Sequence, residues 1–291
     1  MSFEGVGVAL ITPFNEDLSI DFNSLEKIIN HTISGGLDFL VALGTTGEPA
    51  TLSKQEKLDI VSFCKEKIDG RVPLVVGAGG NNTQQVIEDV KDFEQIGVAG
   101  ILSVAPYYNK PTQKGIFEHF KAIAGATSLP IIIYNVPGRT CSNIEAKTAI
   151  ELANTCKNIV SLKEASGNFS QITQVLKNAP DNFSLLSGDD ALTLPMVSLG
   201  TVGVISVIAN SHPRDFSNLV NSALNGDFDT ANEYQYKLID YIDALFVEGS
   251  PAGVKAAMEI MGLCKKYVRL PLVQVSEEHY VTLQKLLSEI S

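Results

Sequence analysis

Eight stretches rich in Val, Ile and Leu recur along the chain, at residues 6–11, 37–43, 73–77, 100–105, 130–134, 159–162, 183–186 and 202–208. Each runs into Gly, Pro, Asn, Thr or Asp and then into a segment whose apolar positions return with helical spacing. The stretches are nearly continuous rather than alternating, the mark of parallel strands covered on both faces. Ser53 with Glu56, Asn82 with Gln85 and Ser142 with Glu145 have capping-box spacing, which predicts helix starts there. Eight strand-helix units within about 225 residues predict an α/β fold closed as a (β/α)8 TIM barrel. Periodicity does not itself show closure, so a doubly wound sheet is the alternative. Against it, Leu10-Ile11-Thr12-Pro13-Phe14 after the first stretch carries no phosphate-cradling glycine motif. Beyond Gly226 no strand signal returns, and helices are expected around 230–246, 251–263 and 277–290. The expected organisation is a catalytic barrel over residues 1–226 and a small all-helical appendage over 227–291.

Composition narrows the class. Of 291 residues, 45% are hydrophobic and 19% charged, as in a globular protein with a sizeable core. A formal charge of -11 makes nucleic acid and anionic membranes poor partners. No apolar run approaches the roughly 20 residues that span a bilayer. Cys64, Cys141, Cys156 and Cys264 lack paired close spacing and no signal-peptide pattern precedes Gly5, so a reducing cytoplasm is expected. His31, His119, His212 and His279 are scattered without metal-ligand spacing.

In a barrel, polar residues at the C-terminal ends of the strands converge on one mouth. The sixth strand ends in Ser161-Leu162-Lys163-Glu164-Ala165-Ser166-Gly167, which puts Lys163 where a strand leaves the core. A poorly hydrated ammonium there favours its neutral form, a nucleophile toward ketones; taken alone, such a lysine can equally reach solvent. After the second strand, Gly44-Thr45-Thr46-Gly47-Glu48 offers backbone amides and two hydroxyls to an anion, or only a tight turn. The fifth strand ends in Tyr134, whose phenol can relay protons, and Arg139 follows with a planar fork suited to a carboxylate. Of Asp189 and Asp190 after the seventh strand, one is expected to cap the next helix rather than ligate a metal.

Gly-Thr-Thr-Gly-Glu, Tyr-Asn-Val-Pro-Gly-Arg-Thr and Lys-Glu-Ala-Ser-Gly, in this order and on these strands, resemble the pyruvate-dependent class I aldolase superfamily and, through Tyr107-Tyr108 and Arg139, its dihydrodipicolinate synthase family. The resemblance covers nearly the whole chain. It implies a Schiff base between Lys163 and pyruvate, with no metal or other cofactor, and condensation with L-aspartate 4-semialdehyde in lysine and diaminopimelate biosynthesis. It further implies that Tyr134, Thr45 and Tyr108 form a proton relay and that Thr46 and Ile205 contact pyruvate. Arg139 would receive the semialdehyde carboxylate, and Gly188 would line the mouth. Tyr108 would reach a neighbouring subunit's site, so a homo-oligomer, a dimer of dimers, is expected.

Family members inhibited by lysine bind it in a cleft that matches Ala50, Lys54, Lys57, Asn81, Gln85 and Tyr107. Lys54, Lys57 and Gln85 stand where those members place histidines and a glutamate, which predicts weak or absent feedback. A second departure is Ser250-Pro251-Ala252-Gly253, where relatives more often carry Asn-Pro and a further proline. Three rival readings stay open. One is another pyruvate aldolase, such as N-acetylneuraminate lyase or a 2-keto-3-deoxy sugar acid aldolase. The others are a metal-dependent barrel using Glu48, Glu164, Asp189 and Asp190, and a non-catalytic barrel.

Overall fold

A computed structural model describes residues 3–290. Eight parallel strands form a closed barrel in sequence order: β1 (Gly5–Ala9), β2 (Phe39–Ala42), β3 (Leu74–Gly77), β4 (Gly100–Val104), β5 (Ile131–Asn135), β6 (Ile159–Glu164), β7 (Ser184–Ser187) and β8 (Gly203–Ser206). Closure by the β1–β8 pairing, Gly5 opposite Gly203 through Val8 opposite Ser206, excludes the doubly wound alternative. The seam between β7 and β8 is thin, with Ser187 opposite Val204 as its one paired position.

Around the barrel run α1 (Phe22–Ser34), α2 (Lys54–Ile68), α3 (Thr83–Ile96), α4 (Gln113–Ala124), the short α5 (Pro137–Thr140), α6 (Ala146–Thr155), α7 (Phe169–Asn178), α8 (Thr193–Leu199) and α9 (Pro213–Leu224). Three helices follow: α10 (Phe228–Ala244), α11 (Ala252–Ile260) and α12 (Glu277–Ile290). Among the described residues, no helix is long and apolar enough to cross a membrane.

Each strand serves two cores. Outward positions such as Leu40, Ile131, Ile133, Leu162 and Leu185 pack with the helices, while inward positions such as Phe39, Val41, Leu102, Ile132 and Leu186 fill the barrel. This double burial explains the unbroken apolar runs.

Strand β6 holds one irregularity. Ile131 pairs with Ile159 but Ile132 pairs with Ser161, so Val160 is an extra residue in the ladder. Ile159 faces the helices, and simple alternation would send Lys163, four positions on, outward as well. The bulge shifts the parity by one and turns Lys163 inward, beside Tyr134 on β5 and Leu186 on β7.

Local helix signals are only partly met. Ser53 and Glu56 form the full capping box of α2. Asn82 caps α3 by accepting from the amides of Gln84 and Gln85, but the Gln85 side chain turns to Asp89 instead. Ser142 does not cap α6, whose N-cap is Glu145 without a side-chain bond; the Ser142 amide is held by Thr140. Asp189 accepts from the Leu192 amide at 3.2 Å, at the start of α8, whereas Asp190 does not cap that helix. Asp190 instead accepts from the amides of Val207 (3.0 Å) and Ile208 (2.8 Å), tying the exits of β7 and β8 together across the thin seam.

Candidate active site

Lys163 is buried, with its Nζ 4.3 Å from the centroid of the Tyr134 ring. The two residues are register partners on β6 and β5, so the sheet itself sets their approach. Loss of water lowers the Lys163 pKa to about 8; the Arg139 charge adds to the shift and the Asp190 carboxylate opposes it. A substantial share of the amine is therefore neutral near physiological pH. Burial drives the Tyr134 phenol up to about 12, against the nearby Arg139 charge and a Thr45 hydrogen bond, so the phenol keeps its proton at neutral pH.

Gly188 is required by close approach. A Cβ there would fall 2.9 Å from Lys163 Cε and 2.8 Å from Ala165 Cβ, so any side chain would displace the lysine stem. Ile205 is buried on β8 and belongs to the inner core with Tyr134. Thr45 and Thr46 sit on a 3₁₀ turn, Thr45–Gly47, with Thr45 exposed toward the mouth and Thr46 buried.

A cavity of about 410 Å³ is lined by Thr45, Tyr134 and Arg139, and the same cavity reaches Ala50, Lys57 and Tyr107. Tyr134 and Thr45 thus share one space with half of the expected effector cleft. The other cleft positions are engaged locally. Lys54 pairs with Asp92 at 2.6 Å, Gln85 donates to Asp89 at 3.0 Å, and Asn81 donates to the Tyr107 carbonyl at 3.4 Å. Asp89 also lines the cavity. Of the two lysines at cleft positions, Lys54 is paired with Asp92, whereas Lys57 lines the cavity together with Arg139 and Asp89.

Tyr108 lies apart. It is 88% exposed on the loop after β4, with φ 72°, and its side chain is absent from the cavity wall. Within one chain, two of the three expected relay residues, Tyr134 and Thr45, line the cavity and Tyr108 does not.

The carboxylates of the metal reading do not converge on one point. Glu164 accepts from Asn135, Gln171 and the Ser166 amide on the outer side of β6. Asp190 is bound to the amides after β8, and Glu48 forms a buried ion pair with Lys255. That last partner escapes a sequence reading centred on strand ends, because Lys255 belongs to α11. Its signal was a lone charge amid Val254, Ala256, Ala257 and Met258.

A closed eight-stranded barrel with a buried lysine on its sixth strand, a phenol beside it and an arginine lining the adjoining cavity defines a (β/α)8 barrel with a lysine at the C-terminal end of a strand. The chain belongs to the Dihydrodipicolinate synthetase family, which it matches over residues 2–290. It is 46% identical over 291 residues to 4-hydroxy-tetrahydrodipicolinate synthase of Parabacteroides distasonis, covering 100% of this chain and 98% of the relative. Among solved structures, dihydrodipicolinate synthase from Aquifex aeolicus is 43% identical with a TM-score of 0.96, covering 99% of this chain and 98% of that one. A monomeric dihydrodipicolinate synthase variant is 40% identical with a TM-score of 0.97, covering 99% and 97%.

Proposed function

We propose that this chain is a lyase that condenses pyruvate with L-aspartate 4-semialdehyde to 4-hydroxy-tetrahydrodipicolinate through a covalent imine on Lys163. The observation that carries the reading is the buried Lys163 amine set against the Tyr134 ring by strand register. The neutral amine adds to the pyruvate ketone and water leaves, forming an iminium. That electron sink lets a methyl proton depart, and the resulting enamine attacks the aldehyde carbon. The semialdehyde's own amine then adds to the former ketone carbon, expels Lys163 and closes the ring.

Tyr134, protonated at neutral pH, supplies and recovers the protons of imine formation, and the Thr45 hydroxyl adjoins it. The Thr46 backbone and Ile205 are assigned to pyruvate, and Arg139 to the semialdehyde carboxylate, for which its fork at the mouth is suited. The nucleophile is the protein's own lysine, so the reading needs no metal or bound cofactor. Exposed Tyr108 is assigned to the site of a second copy, which makes a homo-oligomer, a dimer of dimers, the functional unit. Residues 1–226 carry this chemistry and 227–291 form the helical domain. A biosynthetic role of this kind belongs to the cytoplasm.

The test is chemical trapping. Pyruvate followed by borohydride should add the mass of a reduced pyruvate imine to the peptide containing Lys163, and Lys163→Ala should remove both the adduct and turnover. An untrappable folded protein, or one whose activity a chelator abolishes, would return the metal-dependent barrel to the front. Release of pyruvate from N-acetylneuraminate or a 2-keto-3-deoxy sugar acid, in place of condensation, would favour the other aldolases.

A further inference from the structure

A buried ionic network connects the catalytic turn of the barrel to the C-terminal helices. Glu48 directly follows the turn that bears Thr45 and Thr46, and joins it to a second 3₁₀ turn, Pro49–Thr51. Its backbone is left-handed, at φ 53° and ψ 42°, a conformation that a non-glycine residue holds only when its surroundings fix it. Those surroundings come from the far end of the chain. The Glu48 carboxylate binds Lys255 Nζ, 207 residues further along, and its second oxygen accepts the Arg269 amide at 3.0 Å.

Lys255 has no exposed side-chain surface. Its ammonium also donates to the Tyr267 carbonyl at 2.9 Å and lies 4.1 Å from the centroid of the Phe14 ring. Arg269 is 4.5 Å from that same centroid and forks onto Glu56 at 2.6 and 3.1 Å. It also donates to the Thr51 carbonyl at 3.0 Å. On the barrel side, the Thr12 hydroxyl holds the Gly47 carbonyl at 2.7 Å. The segment from Gly47 to Thr51 is thus gripped at three points, two of them supplied by residues beyond the barrel. Ser250, Pro251, Pro271 and Leu272 complete the cavity wall opposite.

Shape alone does not call for ions here. Two apolar side chains of like volume would fill the same space without desolvating charges, whereas a saturated ion pair fixes one geometry.

We propose that Lys255, with Arg269, is a positioning residue that acts through Glu48 to set the placement of the Thr45 hydroxyl and the Thr46 amide. The inference rests on the imine chemistry proposed above and deepens it. The C-terminal helices are then part of the catalytic assembly, although they contribute no group that touches substrate.

Glu48→Gln, which keeps shape and loses charge, and Lys255→Met, which keeps length, are the test variants. Each would be assayed for kcat, pyruvate KM, melting temperature and borohydride-trapped adduct at saturating pyruvate. Both should trap the Lys163 adduct as the unsubstituted chain does. Their kcat should fall on the order of 10- to 100-fold, the scale of a small misplacement of reacting groups, and pyruvate KM should rise severalfold. The double variant should be no worse than the poorer single one, since both act on the same contact. A lower melting temperature with kcat and KM within twofold of the parent, in either folded variant, overturns the inference, because a purely structural pair predicts that result. Should Lys255→Met fail to fold with its buried carboxylate unpaired, Glu48→Gln decides alone. Absence of adduct in the unsubstituted chain would overturn the imine reading and this inference with it, whereas adduct with undiminished turnover in the variants overturns this inference only.

Discussion

As the proposed nucleophile Lys163 would react as a free amine, so its activity would depend on which form burial favours. With its pKa lowered to about 8, the reactive fraction grows about tenfold per pH unit below that value and saturates above it. Accordingly kcat/KM for pyruvate should climb between pH 6 and 8 and level off beyond. A profile flat across that interval would contradict the assignment of Lys163 as the rate-governing nucleophile. The residues proposed for this chemistry were largely visible in the sequence, because Lys163, Tyr134 and Arg139 interrupt or follow apolar runs. Lys255 did not, since a lysine in a helix ordinarily points to water and only its Ala- and Val-rich setting hinted otherwise. Asp190 was misread for a related reason: its local pattern fits a helix cap, but the amides of Val207 and Ile208, brought near only by closure of the barrel, claim it instead.

Strands were the easiest elements to recognise, because continuous burial leaves continuous apolar sequence. Their internal register was not legible, since a run of Ile159, Val160 and Leu162 looks the same with or without a bulge. Yet the bulge decides which way the nucleophile faces. At the cleft between α2 and α3 the sequence supplied the residues but not their pairings. Lys54 is drawn to Asp92, so the case against a cationic effector rests on Lys57 at the cavity wall and on Gln85, an amide bound to Asp89. On that basis millimolar lysine should leave the initial rate within about twofold, since the Gln85 amide offers its ammonium no charged partner and the Lys57 charge opposes it. Strong inhibition at submillimolar lysine in a rate assay would show that Asp89 compensates for the missing carboxylate.

For the molecule as a whole, the exposed Tyr108 is the feature that one chain leaves unexplained. If it completes a neighbour's relay, Tyr108→Phe and Lys163→Ala chains, each nearly inactive alone, should recover about a quarter of normal activity when co-folded in equal amounts, because an isologous heterodimer pairs one intact site with one doubly impaired site. Co-folded mixtures no better than their parents would confine the relay to Tyr134 and Thr45. The cylinder itself is not uniform. Its ladder is thinnest between β7 and β8, where Ser187 and Val204 alone are paired and the Asp190 carboxylate stands in for missing backbone bonds. Opening free energies follow the local density of such bonds, so amide hydrogens flanking this seam should exchange with solvent sooner than those of β5 and β6. Breathing should thereby concentrate on the side of the barrel that bears Gly188 and Ile205, with the strands of Tyr134 and Lys163 as its steadier wall.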